Sequence, residues 1–183
     1  MKLNIPNILT LSRLVMIPLF VGLYYIPWKW SFIAAAILFV IASLTDALDG
    51  YLARRLNQST PFGAFLDPVV DKLMVATALV VLVAELHNPM VTFAAVVMIG
   101  REIVISALRE WMAEMGKRGI VAVSWLGKFK TAAQMASITG LIAHWSPLVD
   151  QLSLYLLYIA TFLTVWSMLS YIRAAWGDLT QHG

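Results

Sequence analysis

Six apolar runs fill almost the whole chain, at residues 7–27, 30–53, 68–86, 89–114, 125–144 and 150–173. Each is close to the ~20 residues that a helix needs to cross the hydrocarbon core of a bilayer. Lipid offers the backbone no hydrogen bonds, so each run must satisfy its own N–H and C=O groups, and a helix does that. The expectation is an all-α integral membrane protein with six transmembrane helices. Short connections near Pro27, Pro89 and Pro147 point to a single domain over residues 1–183, one compact bundle without a soluble appendage. An even number of crossings puts both termini on the same side.

Composition agrees: 61% of residues are hydrophobic and 13% charged, which excludes a soluble globular domain. Charge sets the orientation. With the termini cytoplasmic, all of the Lys and Arg residues except Lys29 fall on the cytoplasmic side, a strong positive-inside bias. Trp28, Trp30, Tyr24 and Tyr25 are then expected at the outer interface, where amphipathic rings settle. The formal net charge of +3 thus reflects topology and lipid contact rather than nucleic-acid binding. The first run contains Arg13 and Pro18 and lacks a small-residue cleavage site, so it is expected to be a retained helix and not a signal peptide. The chain has no cysteine, which removes disulfides, thiolate ligands and thiol nucleophiles.

Against this background four carboxylates stand out in DALDGYLARRLNQSTPFGAFLDPVVD: Asp46, Asp49, Asp67 and Asp71. Ionised groups at membrane depth are costly and usually pair, bind a cation or line a functional cavity. Asp46 and Asp49 are spaced i, i+3 and Asp67 and Asp71 i, i+4, so each pair shares one helix face. Two facing helices would converge hard oxygen donors suited to one or two Mg²⁺ or Mn²⁺ ions. Both pairs fall in the cytoplasmic third of the membrane, joined by the polar stretch Asn57-Gln58-Ser59-Thr60-Pro61. The active-site cavity is therefore expected in the cytoplasmic half of the bundle.

Plainer roles compete for several of these residues. Asp67 followed by Pro68 has the form of a helix N-cap with proline at N1, which would start the third helix there. Gly50, Ala53 and Gly63 allow close approach of a ligand, and equally close packing of helices. Arg54 is placed to reach a phosphate beside the metals, while Arg55 reads as positive-inside flank.

The spacing Asp46-x2-Asp49-Gly50-x2-Ala53-Arg54-x8-Gly63-x3-Asp67-x3-Asp71 resembles the signature of the CDP-alcohol phosphatidyltransferase family without a departure. The segments NIPNILTLSRLVMIP, ISALREWMAEMGKR and VSWLGKFKTAAQM resemble the bacterial branch that uses sn-glycerol 3-phosphate. The resemblance implies transfer of a phosphatidyl group from CDP-diacylglycerol to sn-glycerol 3-phosphate with release of CMP. It further implies a multi-pass protein of the bacterial inner (plasma) membrane, an active site facing the cytoplasm, and a homodimer. By the same resemblance Asp46, Asp49 and Asp67 hold one metal and Asp46, Asp67 and Asp71 the other. Asp71 takes the proton of the acceptor hydroxyl, and Asp49, Gly50, Ala53, Arg54 and Gly63 belong to the CDP-diacylglycerol site.

Two further groups are candidates. Asn7, Thr10 and Arg13 recur every three residues as a polar stripe on an apolar helix. They either approach the nucleotide of CDP-diacylglycerol or form an interfacial entry with Arg13 snorkelling. The acceptor's phosphate calls for cations, and Arg101, roughly 18 Å down the fourth helix from Pro89, is the first candidate, with Glu102 as a possible structural partner. Arg109 and Lys130 follow, although Arg109, Glu110, Glu114, Lys117 and Arg118 also read as one solvated face. His87 and His144 are expected by the outer loops and His182 in the tail, at a distance from the aspartates that does not suit catalytic or ligand roles.

Two alternatives remain: the same chemistry on another alcohol (serine, an inositol phosphate or phosphatidylglycerol), and a divalent-cation transporter. A transporter needs polar groups through the full membrane depth, whereas here the carboxylates cluster toward one side.

Overall fold

The computed structural model describes residues 4–56, 60–114 and 125–180. These residues form helices and connections, without strands. The helices are α1 (Ile5–Tyr25), α2 (Ser31–Leu56), α3 (Pro61–Leu86), α4 (Pro89–Glu114), α5 (Trp125–Ala143) and α6 (Pro147–Thr180). Three of them are long and apolar enough to cross a membrane, over Asn7–Tyr25, Pro89–Glu114 and Pro147–Arg173, and Ser31–Asp46 is a shorter apolar stretch. The 26 residues of α2 and the 26 of α3 are interrupted by the very carboxylates that drew attention in the sequence. Large apolar side chains face outward, among them Ile37, Val80, Phe93, Val96, Ile103 and Phe162, each more than half exposed. In water such a surface would aggregate; against lipid it is the expected exterior, and the protein is a membrane protein.

Local signals set the helix ends. Asn4 caps α1 by accepting the Asn7 N–H at 3.1 Å, with Pro6 just inside the helix. Helix α3 begins at Pro61, where the Thr60 hydroxyl accepts the Gly63 N–H at 3.0 Å. The expected start at Asp67 is therefore incorrect. Pro68 lies inside α3, and Asp67 is an interior residue whose carboxylate is not spent on a cap. His87 and His144 end α3 and α5 in the left-handed region, with φ of 47° and 42°. Histidine tolerates that region better than most side chains. Asn88 and Ser146 follow as side-chain caps, to Met90 N–H at 2.9 Å and Val149 N–H at 3.3 Å.

The chain sorts into two compact units, Met1–Glu85 with Thr139–Asp150, and Leu86–Ile138 with Gln151–Gly183. In the first, α1 packs on α2. Phe20 meets Phe39 at 6.2 Å between ring centroids, beside buried Ala35, Ala36 and Ala42, whose small side chains let the helices approach. Tyr24 departs from expectation. It is 2% exposed, packed edge-on against Phe32 at 5.0 Å and Tyr25 at 5.3 Å, so it is core, while Tyr25, Trp28 and Trp30 remain on the surface.

In the second unit, Val91, Ala94, Ala95, Met98, Ile105 and Met112 form the buried stripe of α4. Buried Thr161 and Thr164 on α6 and Ser137 on α5 return their hydroxyls to carbonyls of their own helices at 2.6–2.9 Å. These hydroxyls therefore need no ligand.

Candidate active site

The polar stripe of α1 points inward. Asn7, Thr10 and Arg13 are 2%, 0% and 2% exposed, which rules out the snorkelling alternative for Arg13. Their spacing of three places them on one face of α1, and Thr10 and Arg13 converge on the same carboxylate.

Asn7 docks on the first turn of α3. Its Oδ1 accepts the Thr60 hydroxyl at 3.0 Å, and Gly63 lies so close that a Cβ there would stand 2.6 Å from the same oxygen. Gly63 is thus a close approach between helices, the packing role weighed for it above. Thr10 donates its hydroxyl to Asp67 Oδ1. Arg13 bridges two helices: Nη1 lies 2.5 Å from Asp46 Oδ1 on α2, and Nη2 lies 3.7 Å from Asp67 Oδ1 on α3. One side chain from each pair, drawn from segments far apart in sequence, is thereby brought to a single point.

Asp71 is half-buried one turn beyond Asp67 on α3, on the same face by its spacing. Asp49, Gly50, Ala53 and Arg54 lie along the C-terminal turns assigned to α2, but their side chains are outside the described residues. Among the described residues no three His, Asp or Glu side chains gather at metal-ligating range. The donor set nevertheless fits a divalent ion: carboxylate oxygens are the ligands that Mg²⁺ and Mn²⁺ take, and a cationic group already lies between two of them.

The second unit holds its own charged cluster. Arg101 Nη1 pairs with Glu102 Oε1 at 2.6 Å, and Lys130 Nζ lies 3.7 Å from the same oxygen. The guanidinium of Arg101 also sits over Tyr171, 5.9 Å from the ring centroid. Glu102 is thus the partner weighed for Arg101, yet one carboxylate serves two cations whose side chains are 11% and 5% exposed. Arg101 Nε is buried without a hydrogen-bond partner among the described residues. Positive charge and donor capacity left over in a buried place suit an anion. Arg109 is exposed, in keeping with the solvated face read for that part of the sequence; Lys117 and Arg118 lie outside the described residues.

Thr60 is the residue that sequence reasoning missed. It caps α3 and ties it to α1 through Asn7. The signal was present as Thr60-Pro61, an N-cap followed by proline at N1, but Asp67-Pro68 offers the same pattern at the edge of the apolar run.

Residues 3–166 match the family described as CDP-alcohol phosphatidyltransferase. Among similar proteins, one from Yersinia pestis (strain Pestoides F) is 56% identical over 181 residues, 99% of this chain and 100% of that one. A protein from Sodalis glossinidius is 54% identical, with 100% of each chain covered. A third, from Salmonella paratyphi A, is 54% identical over 98% of both chains. All three carry the name CDP-diacylglycerol–glycerol-3-phosphate 3-phosphatidyltransferase.

Proposed function

The chain belongs to the CDP-alcohol phosphatidyltransferase family, and on that premise we propose how its residues carry out one reaction. The protein is an enzyme that transfers the phosphatidyl group of CDP-diacylglycerol to sn-glycerol 3-phosphate, giving phosphatidylglycerophosphate and CMP in phospholipid biosynthesis. The observation that carries this is identity of 54–56% with relatives of that name from end to end.

In the reaction the acceptor hydroxyl oxygen forms a bond to the phosphatidyl phosphorus. The bond from that phosphorus to the bridging oxygen breaks, and CMP leaves with the electron pair. Asp71 takes the hydroxyl's proton, its carboxylate being one turn from Asp67 on the same helix. Asp46, Asp49, Asp67 and Asp71 would hold two Mg²⁺ or Mn²⁺ ions. Metal ions held there would supply neutralisation of the diphosphate's charge and stabilisation of the leaving CMP. Gly50, Ala53 and Arg54 line the nucleotide site, with Asn7, Thr10 and Arg13 closing it from α1. Arg101 and Lys130 recognise the acceptor's phosphate, supported by the buried positive charge that Glu102 alone does not balance.

We also propose that all six helices span a bacterial inner membrane as one functional domain, with both termini and the active site on the cytoplasmic side. The near-complete positive-inside bias supports this orientation. Pairing as a homodimer belongs to the same proposal. The reaction is tested by giving purified protein CDP-diacylglycerol, Mg²⁺ and, in separate vessels, glycerol 3-phosphate, serine, inositol phosphate and phosphatidylglycerol. Phosphatidylglycerophosphate formed only with glycerol 3-phosphate is the expected result; a product with another alcohol, and none with this one, overturns it.

A further inference from the structure

Arg13 lies against two of the carboxylates that the metal-binding reading assigns to divalent ions. Its side chain is 3% exposed, and it approaches Asp46 Oδ1 at 2.5 Å and Asp67 Oδ1 at 3.7 Å. Asp67 Oδ1 also accepts the Thr10 hydroxyl, so that one oxygen serves two donors from α1. A divalent ion held here would call on lone pairs of these same carboxylates. A guanidinium and a divalent ion at the same carboxylates repel each other strongly in so buried a place.

We propose that Arg13 is an internal counter-cation: it holds Asp46 and Asp67 together until divalent ions exchange with it at those carboxylates. The displaced guanidinium then serves phosphate oxygens of the donor, for which its planar fork is suited. Before exchange, Arg13 keeps carboxylates on α2 and α3 from driving their helices apart. Afterwards it supplies a positive charge that the diphosphate, and not the metals, requires. This inference rests on the metal-binding reading of the four aspartates.

The opposing possibility is definite. A side chain that stays on the carboxylates and orients them as ligands strengthens metal binding, and its loss typically weakens affinity 10- to 100-fold. A counter-cation that must be displaced weakens metal binding, and its loss tightens it. The two roles move the same measurement in opposite directions.

The full-length protein in detergent is titrated with Mn²⁺ in the absence of nucleotide, and free Mn²⁺ is followed by electron paramagnetic resonance. Wild type, Arg13→Gln, Arg13→Lys and Asp67→Asn are compared. Arg13→Gln is expected to bind Mn²⁺ at least about tenfold more tightly than wild type, because the competing charge is gone. Arg13→Lys is expected to fall between them, since lysine keeps the charge but loses the fork that spans both carboxylates. It also serves as the deciding variant if Arg13→Gln does not fold. Asp67→Asn should bind weakly. Affinity equal to or below wild type in the Arg13 variants overturns the exchange and leaves the metal site standing. A wild-type protein that binds no Mn²⁺ overturns both.

Discussion

Replacing Gly63 by alanine tests the contact between α1 and α3 that carries the site. The added Cβ would stand 2.6 Å from Asn7 Oδ1 and 3.2 Å from Thr60 Oγ1. An ordinary carbon–oxygen contact is at least ~3.4 Å, so the Asn7 side chain must retreat by roughly 0.8 Å, with little space to do so in a packed interior. Asn7 is 2% exposed and accepts the Thr60 hydroxyl at 3.0 Å. Losing that hydrogen bond costs about 1 kcal/mol, and overpacking a tight site costs ~1–3 kcal/mol. The total of roughly 2–4 kcal/mol should lower the unfolding temperature in detergent by about 5–15 °C. Tryptophan fluorescence reads the transition. The decisive comparison is a double-mutant cycle, because Asn7→Ala removes the atom that clashes. Gly63→Ala should cost at least ~1 kcal/mol less in the Asn7→Ala background than in wild type. Equal costs in the two backgrounds would refute the contact as the cause.

Three further outcomes are expected. EDTA should abolish turnover and Mg²⁺ or Mn²⁺ restore it, whereas full activity in thoroughly metal-free buffer would refute the metal mechanism. Asp46→Asn, Asp49→Asn, Asp67→Asn and Asp71→Asn should each inactivate a correctly inserted protein, with Asp178→Asn near the end of α6 as the control. Near-normal turnover in Asp71→Asn would move the general base elsewhere. Arg101→Ala should raise the KM for glycerol 3-phosphate about 10- to 150-fold, corresponding to ~1.5–3 kcal/mol, while leaving CDP-diacylglycerol binding little changed. Arg101→Lys should recover part of the loss, and a normal KM in Arg101→Ala would refute the acceptor role.

The helices were readable because a run of apolar residues of membrane length leaves the backbone little alternative, and five of the six begin within three residues of the expected place. The exception, α3, begins at Pro61 because two X-Pro caps compete there, and the helix runs on through Pro68. With the side chain of Asp49 outside the described residues, the shared face of Asp67 and Asp71 on α3 followed from helical periodicity. The destination of the α1 stripe did not, because a spacing of three marks which residues share a face and is silent on what that face meets. Only packing against α2 and α3 distinguishes a buried Arg13 from a snorkelling one, and for Tyr24 the deciding contact is with Phe32 of α2. Thr60 was obscured for a related reason: its hydroxyl matters through Asn7, more than fifty positions earlier in the chain.

The bridge from Arg13 to Asp46 and Asp67 also bears on how the chain is assembled. Synthesis delivers α1 before α2 and α3, so the positive charge is in place when the two carboxylates arrive. A carboxylate without a partner is costly wherever water is scarce. A helix already made and carrying the complementary charge offers each newcomer a partner on arrival. Order of emergence from the ribosome thereby becomes part of the folding code: the cation of α1 is made before the two carboxylates that it meets.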